Sequence, residues 1–234
     1  MTVQEQKAQV MERIDRRVMK DLLAEHGTAD TPGVYTHRNR LVGELFWRSH
    51  QSMLALSRGG RRRRVLDFGG GNGVLLPTLS KRFDEVVCID LNVDIAAEVV
   101  RLYSLSNVRV IGGDIFEQGL PDGYFDTITA ASVLEHILEL DRLARELQRL
   151  LSDGGELLAS APSENRFYEL GRRLVGYTKP WDHHYDGDYI INTVGAHLPL
   201  RQRQYFPIGW RPLAVFYLLR FAKEAPDLRE GYRL

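Results

Sequence analysis

Acidic side chains end three short apolar runs in this chain, and the first is followed by a loop made almost wholly of glycine. In "RRVLDFGGGNGVLLPTL", residues 63–79, Asp67 closes an apolar run, and Gly69, Gly70, Gly71 and Gly73 fill four of the five positions from 69 to 73. Glycine there admits backbone angles closed to other residues and lets a ligand approach the main chain closely. A helix starting just beyond aims free N–H groups at the same spot.

Two ligand classes compete for such a loop. A dinucleotide loop needs G-x-G-x-x-G or A, with a small third residue where helix meets strand. Counted from Gly69 the third position is Val74, and counted from Gly71 it is Leu76. The spacing is instead D-x-G-x-G-x-G, from Asp67 to Gly73. An acid at the strand end repels a pyrophosphate and suits a cationic head such as an amino group.

Further groups able to move protons lie downstream. "LEHI" supplies Glu135 and His136; "WDHHYDGDY" supplies Asp182, His183, His184, Tyr185 and Asp188. A histidine beside an acid serves as a base that the acid orients. Glu135 and His136 read equally well as the cap of a following helix, and 181–189 as a plain surface loop. No metal site is expected, because adjacent histidines point apart and no further ligand spacing is visible. In "APSENRFYE", Glu164 and Asn165 are candidates, with helix capping from Ser163 as the alternative. The single cysteine, Cys88, sits inside an apolar run without an activating neighbour and reads as a small core residue.

The elements that must hold these groups follow from periodicity. "RRVLDFG", "EVVCIDL", "VRVIGGD", "FDTITAAS" and "GELLASAP" are short runs rich in Val, Ile and Leu, and read as strands buried on both faces. Helical patterns separate them at 73–82, 93–105 and 136–151; the last aligns Leu140, Leu143, Leu147, Leu150 and Leu151, and "SDGG" then makes a turn. Alternation of strand and helix means a parallel sheet with helices on both sides. Before it, amphipathic helices are expected at 3–25, on Val10, Ile14, Val18 and Leu22, and at 35–57, around the break 27–33. After it, 163–177 reads as helix, "LRQRQYFPI" as a strand, and "PLAVFYLLRFAKE" as a strongly apolar helix. That helix is expected to pack on the sheet or on another subunit. Its alternative is an interfacial helix bordered by Arg211, Arg220 and Lys223 that presents a lipid-like acceptor.

Composition narrows the classes. The 234 residues suffice for one sizeable domain or a domain with an added lobe. With 31 basic and 31 acidic residues, nucleic acid is not expected as the main partner. One cysteine excludes an internal disulfide. The N-terminus lacks the apolar core of a signal peptide, and no run of about 18 apolar residues occurs, so the expected compartment is cytoplasmic. The run Arg61–Arg64 reads as a solvated lead-in to the first strand.

"VLDFGGGNG" resembles the glycine-rich motif of class I S-adenosylmethionine-dependent methyltransferases, and the resemblance continues in order over residues 63–162. "VVCIDLN" resembles the stretch whose acid, here Asp90, holds both ribose hydroxyls. "GGDIFE" places Asp114 where the family meets the adenine amino group, although an Asp after Gly-Gly is also an ordinary turn residue. "FDTITAASVLEHI" resembles the fourth strand and the loop beside the methyl donor. Many relatives carry Cys or Ala at the position of Gly70, and glycine there is taken as sterically harmless.

The resemblance implies an α/β, doubly wound, mostly parallel sheet of the Rossmann-like methyltransferase type, with N-terminal helices and a C-terminal helical extension. It implies an N-terminal helical lid over 1–58 and a catalytic domain over 59–234. S-adenosylmethionine is the implied cofactor and S-adenosylhomocysteine its product. The implied donor contacts are Asp67, Gly69, Gly71, Gly73, Asp90, Leu91, Asp114, Ile115 and Ala131. Glu135, His136 and His184 are the implied catalytic groups, with His184 preferred to His183 as a substrate-side residue. Tyr35, from the lid-like "TPGVYTHRNR", and His183, Tyr185 and Asn165 are the implied acceptor contacts. The acceptor is a small molecule or a lipid-linked metabolite methylated at O or N, and the assembly a monomer or homodimer. The runners-up are a non-catalytic S-adenosylmethionine sensor or scaffold, and a nicotinamide-dependent oxidoreductase that the loop spacing disfavours.

Overall fold

A computed structural model describes residues 11–28, 33–58, 62–174, 176 and 181–225. Residues 3–10 of the expected first helix, most of the 27–33 break, Arg61 and residues 177–180 lie outside the described residues.

Two helices precede the sheet. Helix α1, Arg16–His26, starts where the Asp15 side chain accepts the backbone N–H of Arg17, so Met11–Asp15 are not helical and the expected helix begins later than its pattern suggested. Helix α2, Arg40–Leu54, is capped in the same way by Asn39, which accepts from Leu41 N.

The chain then alternates as its periodicity requires: β1 Arg64–Phe68, α3 Leu76–Arg82, β2 Glu85–Asp90, α4 Asp94–Leu102, β3 Val108–Gly112, β4 Phe125–Ala131, α5 Leu140–Leu150 and β5 Leu151–Pro162. Helices α6, Arg166–Leu174, and α7, Gly187–Gly195, follow, and then strands β6, Leu200–Phe206, and β7, Phe216–Ala222. The seven strands lie in the order β3-β2-β1-β4-β5-β7-β6, with β7 antiparallel to both β5 and β6.

Four expectations are corrected here. The C-terminal apolar segment is not a helix: Phe216–Ala222 is a strand inserted between β5 and β6, so the helical extension is replaced by two strands that finish the sheet. The basic residues expected at the borders of an interfacial helix are also accounted for. Arg220 is buried and paired with Glu156 at 3.3 Å, Lys223 donates to the Leu151 carbonyl, and Arg211 binds Asp188 and the Tyr217 hydroxyl. Nor is every strand buried on both faces, because β3 stands at the sheet edge and is half exposed. Leu151, expected on the helix face, already pairs with Phe125 in β5, and the register shift between Phe125 and Thr127 takes up the "SDGG" turn.

Each face of the sheet carries its own core. On one, Leu66, Ile128 and Leu157 pack beneath Leu143, Ala144 and Leu147 of α5 and Ile190 and Val194 of α7. On the other, Val65, Val86, Cys88 and Leu158 pack beneath Met19 of α1, Trp47 and Met53 of α2, Leu79 of α3 and Ile95 of α4. Among the described residues no helix is long and apolar enough to cross a membrane.

Candidate functional site

The strand order reverses between β1 and β4, and in open α/β sheets that crevice at the strand carboxyl ends is where ligands bind. Asp67 stands there, opposite Thr129 in the parallel β1–β4 register. The Thr129 hydroxyl donates to Asp67 Oδ1 at 2.7 Å. The other oxygen, Oδ2, is buried and has no partner. Burial pushes the Asp67 carboxyl up to about 7, against the Thr129 hydrogen bond and with help from the Asp90 charge.

The glycine loop fits around these groups at van der Waals limits. Gly69, Gly71 and Gly73 all have positive φ, at 69°, 47° and 66°. A Cβ on Gly69 would lie 2.3 Å from Val133 Cγ2, so the loop after β4 rests directly on the loop after β1. A Cβ on Gly70 would lie 2.4 Å from Cys88 Sγ. Gly70 is therefore required by its neighbour, not merely harmless: the Cys88 thiol fills the space that a side chain at 70 would occupy. Asp90 ends β2 with one oxygen accepting from Gly71 N at 2.8 Å and the other from Asn92 N at 3.0 Å. A carboxylate has about four lone-pair sites, so both oxygens keep capacity for a ligand.

The remaining expected donor-side residues are more scattered. Leu91 projects into solvent, Ala131 ends β4 half-buried, and Ile115 is packed into the core. Asp114 is exposed and accepts from Phe116 N at 3.0 Å, which is the turn role left open as its alternative.

The N-terminal segment reaches the same place. The Tyr35 hydroxyl lies 2.6 Å from His50 Nε2, and its phenol is pushed up by burial and by the charge of Asp67. His50 is buried, with its Nδ1 unpartnered, and burial lowers it to about 4, so the ring is neutral at neutral pH. An open cleft of about 490 Å³, lined by His37, Arg38, Asn39, Leu174 and Gly176, sets the lead-in of α2 opposite the end of α6.

A second cluster lies two residues beyond Val133. Glu135, His136 and His183 bring one ligand-type atom each within 4.8 Å of one another. Glu135 is 1% exposed, and its Oε2 has no partner. Burial pushes it up to about 8, opposed by its own backbone amide and aided by the charges of Glu164 and Asp182. His136 Nδ1 meets Asp182 Oδ2 at 2.8 Å, and His183 Nδ1 meets Glu164 Oε1 at 2.9 Å. The two rings sit edge to face with centroids 4.7 Å apart. Burial holds His136 below the usual imidazole range against the pull of Asp182. Glu164 takes a two-pronged contact from Arg172 at 3.0 and 2.7 Å; burial alone would raise it, but His183 and Arg172 bring it down to about 2. Ser132 and Glu164, at the ends of β4 and β5, hold positive φ at 52° and 49°, a strained state for non-glycine residues.

The geometry reorders the expected acceptor side. His183, not His184, joins Glu135 and His136. His184 is exposed, and it reaches the cluster through its backbone N–H, which donates to the Glu135 carbonyl. His184 stays outside the cluster, but Glu135 and His136 complete around His183 the ligand-type set that residue spacing did not reveal. Asn165 is committed to structure: its amide donates to the Ala214 carbonyl, and its oxygen caps α6 by accepting from Tyr168 N. The Tyr185 hydroxyl donates to the Leu138 carbonyl while its ring stacks on Tyr189. Sequence reasoning missed Thr129, His50 and Arg172, which carry no local motif; only their burial beside charged groups marks them.

Residues 66–159 match the family model described as a methyltransferase domain. The chain is 31% identical over 123 residues, 50% of its length, to the ubiquinone/menaquinone biosynthesis C-methyltransferase UbiE of Vibrio vulnificus strain YJ016, covering 47% of that protein. It is 32% identical over 138 residues to the ubiquinone biosynthesis O-methyltransferase of Xanthomonas euvesicatoria pv. vesicatoria, covering 54% of this chain and 56% of that protein. The chain thus spans about half the length of the curated relatives it matches. In fold it is similar to the N-methyltransferase NodS of Bradyrhizobium japonicum WM9, solved with S-adenosyl-L-homocysteine, with a TM-score of 0.64 at 18% identity over 90% of this chain and 99% of that one.

The crevice fits the ligand such a domain takes. The unpartnered Asp67 oxygen suits a cationic amino group, the glycine loop leaves room for close main-chain approach, and Asp90 can accept from hydroxyls. Strand order, matched segment and crevice chemistry agree, and residues 66–159 form a methyltransferase domain whose crevice suits S-adenosylmethionine.

Proposed function

We propose that this protein transfers a methyl group from S-adenosylmethionine to a small-molecule or lipid-linked acceptor, at O or N. The observation that carries the reading is the contact between the two loops: Val133 packs against Gly69, so the Asp67–Asp90 crevice and the Glu135–His136–His183 cluster adjoin. Donor and acceptor chemistry need that adjacency, because methyl transfer is an in-line displacement whose barrier falls when the two partners are held in register.

In this reading Asp67 and the loop of Gly69, Gly71 and Gly73 hold the methionine end of the donor. Asp90 accepts from its ribose, and Leu91, Asp114, Ile115 and Ala131 border its base and sulfonium end. The bound donor supplies the activated methyl group. His136, neutral and oriented by Asp182, takes the acceptor proton through the nitrogen that faces away from that acid. Glu135 and His183 line the acceptor beside it. Residues 1–58 act as a cap over the catalytic unit 59–234, with Tyr35 closing on Asp67.

An apolar acceptor body suits the exposed stripe Phe167, Leu170 and Leu174 of α6, with Trp181 beyond it, on the segment joining Glu164 to Asp182. The test is incubation with methyl-labelled S-adenosylmethionine and a panel of phenols, amines and their prenylated forms. Label transferred to a panel member by the wild type, and at least about 100-fold more slowly by His136→Ala, is the expected result. Tight S-adenosylhomocysteine binding with no transfer to any member would favour a sensor instead.

A further inference from the structure

We propose that Glu135, His136 and His183 form a binding site for one divalent transition-metal ion, of which Zn²⁺ is the best-suited representative.

Two imidazoles and a carboxylate are a donor set for borderline ions, and are poorly matched to Mg²⁺ or Ca²⁺, which take oxygen ligands. The three donor atoms lie within 4.8 Å of one another. An ion about 2.1 Å from each donor spans pairs up to about 4.2 Å apart, so rotamer adjustments of a few tenths of an ångström close the site.

The surroundings are built as a metal site requires. A ligating histidine offers one nitrogen to the metal and gives the other N–H to a carboxylate or carbonyl, which fixes its tautomer and direction. Both histidines do this with Nδ1: His136 to Asp182, and His183 to Glu164, itself clamped by Arg172. Both therefore have Nε2 left for the ion. An independent observation sits on the third donor. Glu135 is 1% exposed, yet its Oε2 is without a partner, a costly state for a buried oxygen that a cation would relieve. The charges facing the cluster are acidic on balance, with Asp182 and Glu164 beside Glu135 and Arg172 opposing them.

Three protein donors leave at least one coordination position open to a further ligand. For the methyl transfer proposed above, on which this one point rests, a bound ion would occupy the His136 Nε2 lone pair and replace that ring as the proton-handling group: its open position would draw an acceptor oxygen or nitrogen into the site and lower its proton affinity, so that the proton passes to water.

The site is tested on the full chain after chelator treatment and dialysis, by calorimetric titration with Zn²⁺ and by the visible absorption of Co²⁺. One ion per chain is expected, with a Co²⁺ spectrum typical of nitrogen ligands. His136→Ala, His183→Ala and Glu135→Gln should each weaken binding at least about 100-fold, and Glu164→Gln by about 10–100-fold through the orientation of His183. His184→Ala should leave it unchanged. His136 is the most exposed of the three ligands, so its variant keeps the test valid should the buried ones fail to fold. Absence of stoichiometric binding, binding that survives loss of both His136 and His183, or dependence on His184 in place of His183 would overturn the site. S-adenosylhomocysteine melting shifts, measured on the same variants, separate this result from the donor reading. A metal-binding chain that ignores the nucleoside sinks the proposed function and leaves the metal site standing. A nucleoside-binding chain without metal does the reverse.

Discussion

The carboxylate of Asp67 is held by the Thr129 hydroxyl on one oxygen and by nothing on the other, although it is buried between β1 and β4. That arrangement costs the folded chain stability and leaves a buried acceptor beside Gly70. It gives a pH signature. An acid whose folded value is raised makes the folded chain bind more protons than the unfolded one, so stability falls as pH rises from about 4 to about 7. The full loss from this one group is on the order of 4 kcal/mol. Asp67→Asn should remove that slope. By denaturant titration at about pH 5 and about pH 8, the variant should gain on the wild type with rising pH, while its affinity for S-adenosylhomocysteine falls at least about tenfold. Parallel pH curves for the two proteins would refute the assignment.

Asp90 gives a contrasting case, because its oxygens already accept from Gly71 and Asn92. Asp90→Ala should cost about 1–2 kcal/mol of stability, from two backbone donors released at a half-exposed site. Binding of the nucleoside should fall much further. Equal losses in both would reduce Asp90 to a loop anchor.

Gly70 and Cys88 should behave as a coupled pair. Gly70→Ala drives a methyl group to 2.4 Å from the thiol and also crowds Asp67, at a cost of about 1–3 kcal/mol. Cys88→Gly opens that space, so the double variant should recover part of the loss. The coupling is read from a double-mutant cycle of chemical melts. Additive effects would mean that the loop relaxes by another route. The Cys88 thiol is buried and pushed up by that burial, so it should also resist alkylation in the native state.

Glu156 and Arg220 form a buried pair across β5 and β7. Arg220→Met leaves the Glu156 carboxylate without its charged partner and should cost about 3–5 kcal/mol, whereas Glu156→Gln with Arg220→Met should cost less than Arg220→Met alone. Equilibrium unfolding of the three variants checks the order. A more stable Arg220→Met would show the pair to be dispensable.

What the sequence disclosed follows from the range of the forces involved. Strands β1, β2, β4 and β5 and the glycine loop were legible, because a parallel strand buried on both faces is a continuous apolar run and the loop needs glycine at fixed positions; β3 was legible from its valines although it stands half exposed at the edge. Residues 216–222 were misread as helix for a related reason. A short wholly apolar run reads alike in either period, and Arg220 looked like a polar border because its partner Glu156 is 64 residues away. On the donor side, Asp67 and Asp90 stand out because each ends an apolar run. On the acceptor side, choosing between His183 and His184 depends on which way a loop turns. That is set by the bond from the His184 N–H to the Glu135 carbonyl, which joins two segments far apart in the chain. No local pattern encodes it.

Whether the crevice takes S-adenosylmethionine is read from thermal melting with S-adenosylhomocysteine, with NAD and Asp90→Ala as controls. At about 100 times the dissociation constant a specific ligand adds about 2.7 kcal/mol, a clear rise in melting temperature. That rise is expected for S-adenosylhomocysteine with the wild type, its loss in Asp90→Ala, and no rise with NAD. An unmoved melting temperature with S-adenosylhomocysteine, or a rise with NAD in its place, would contradict it.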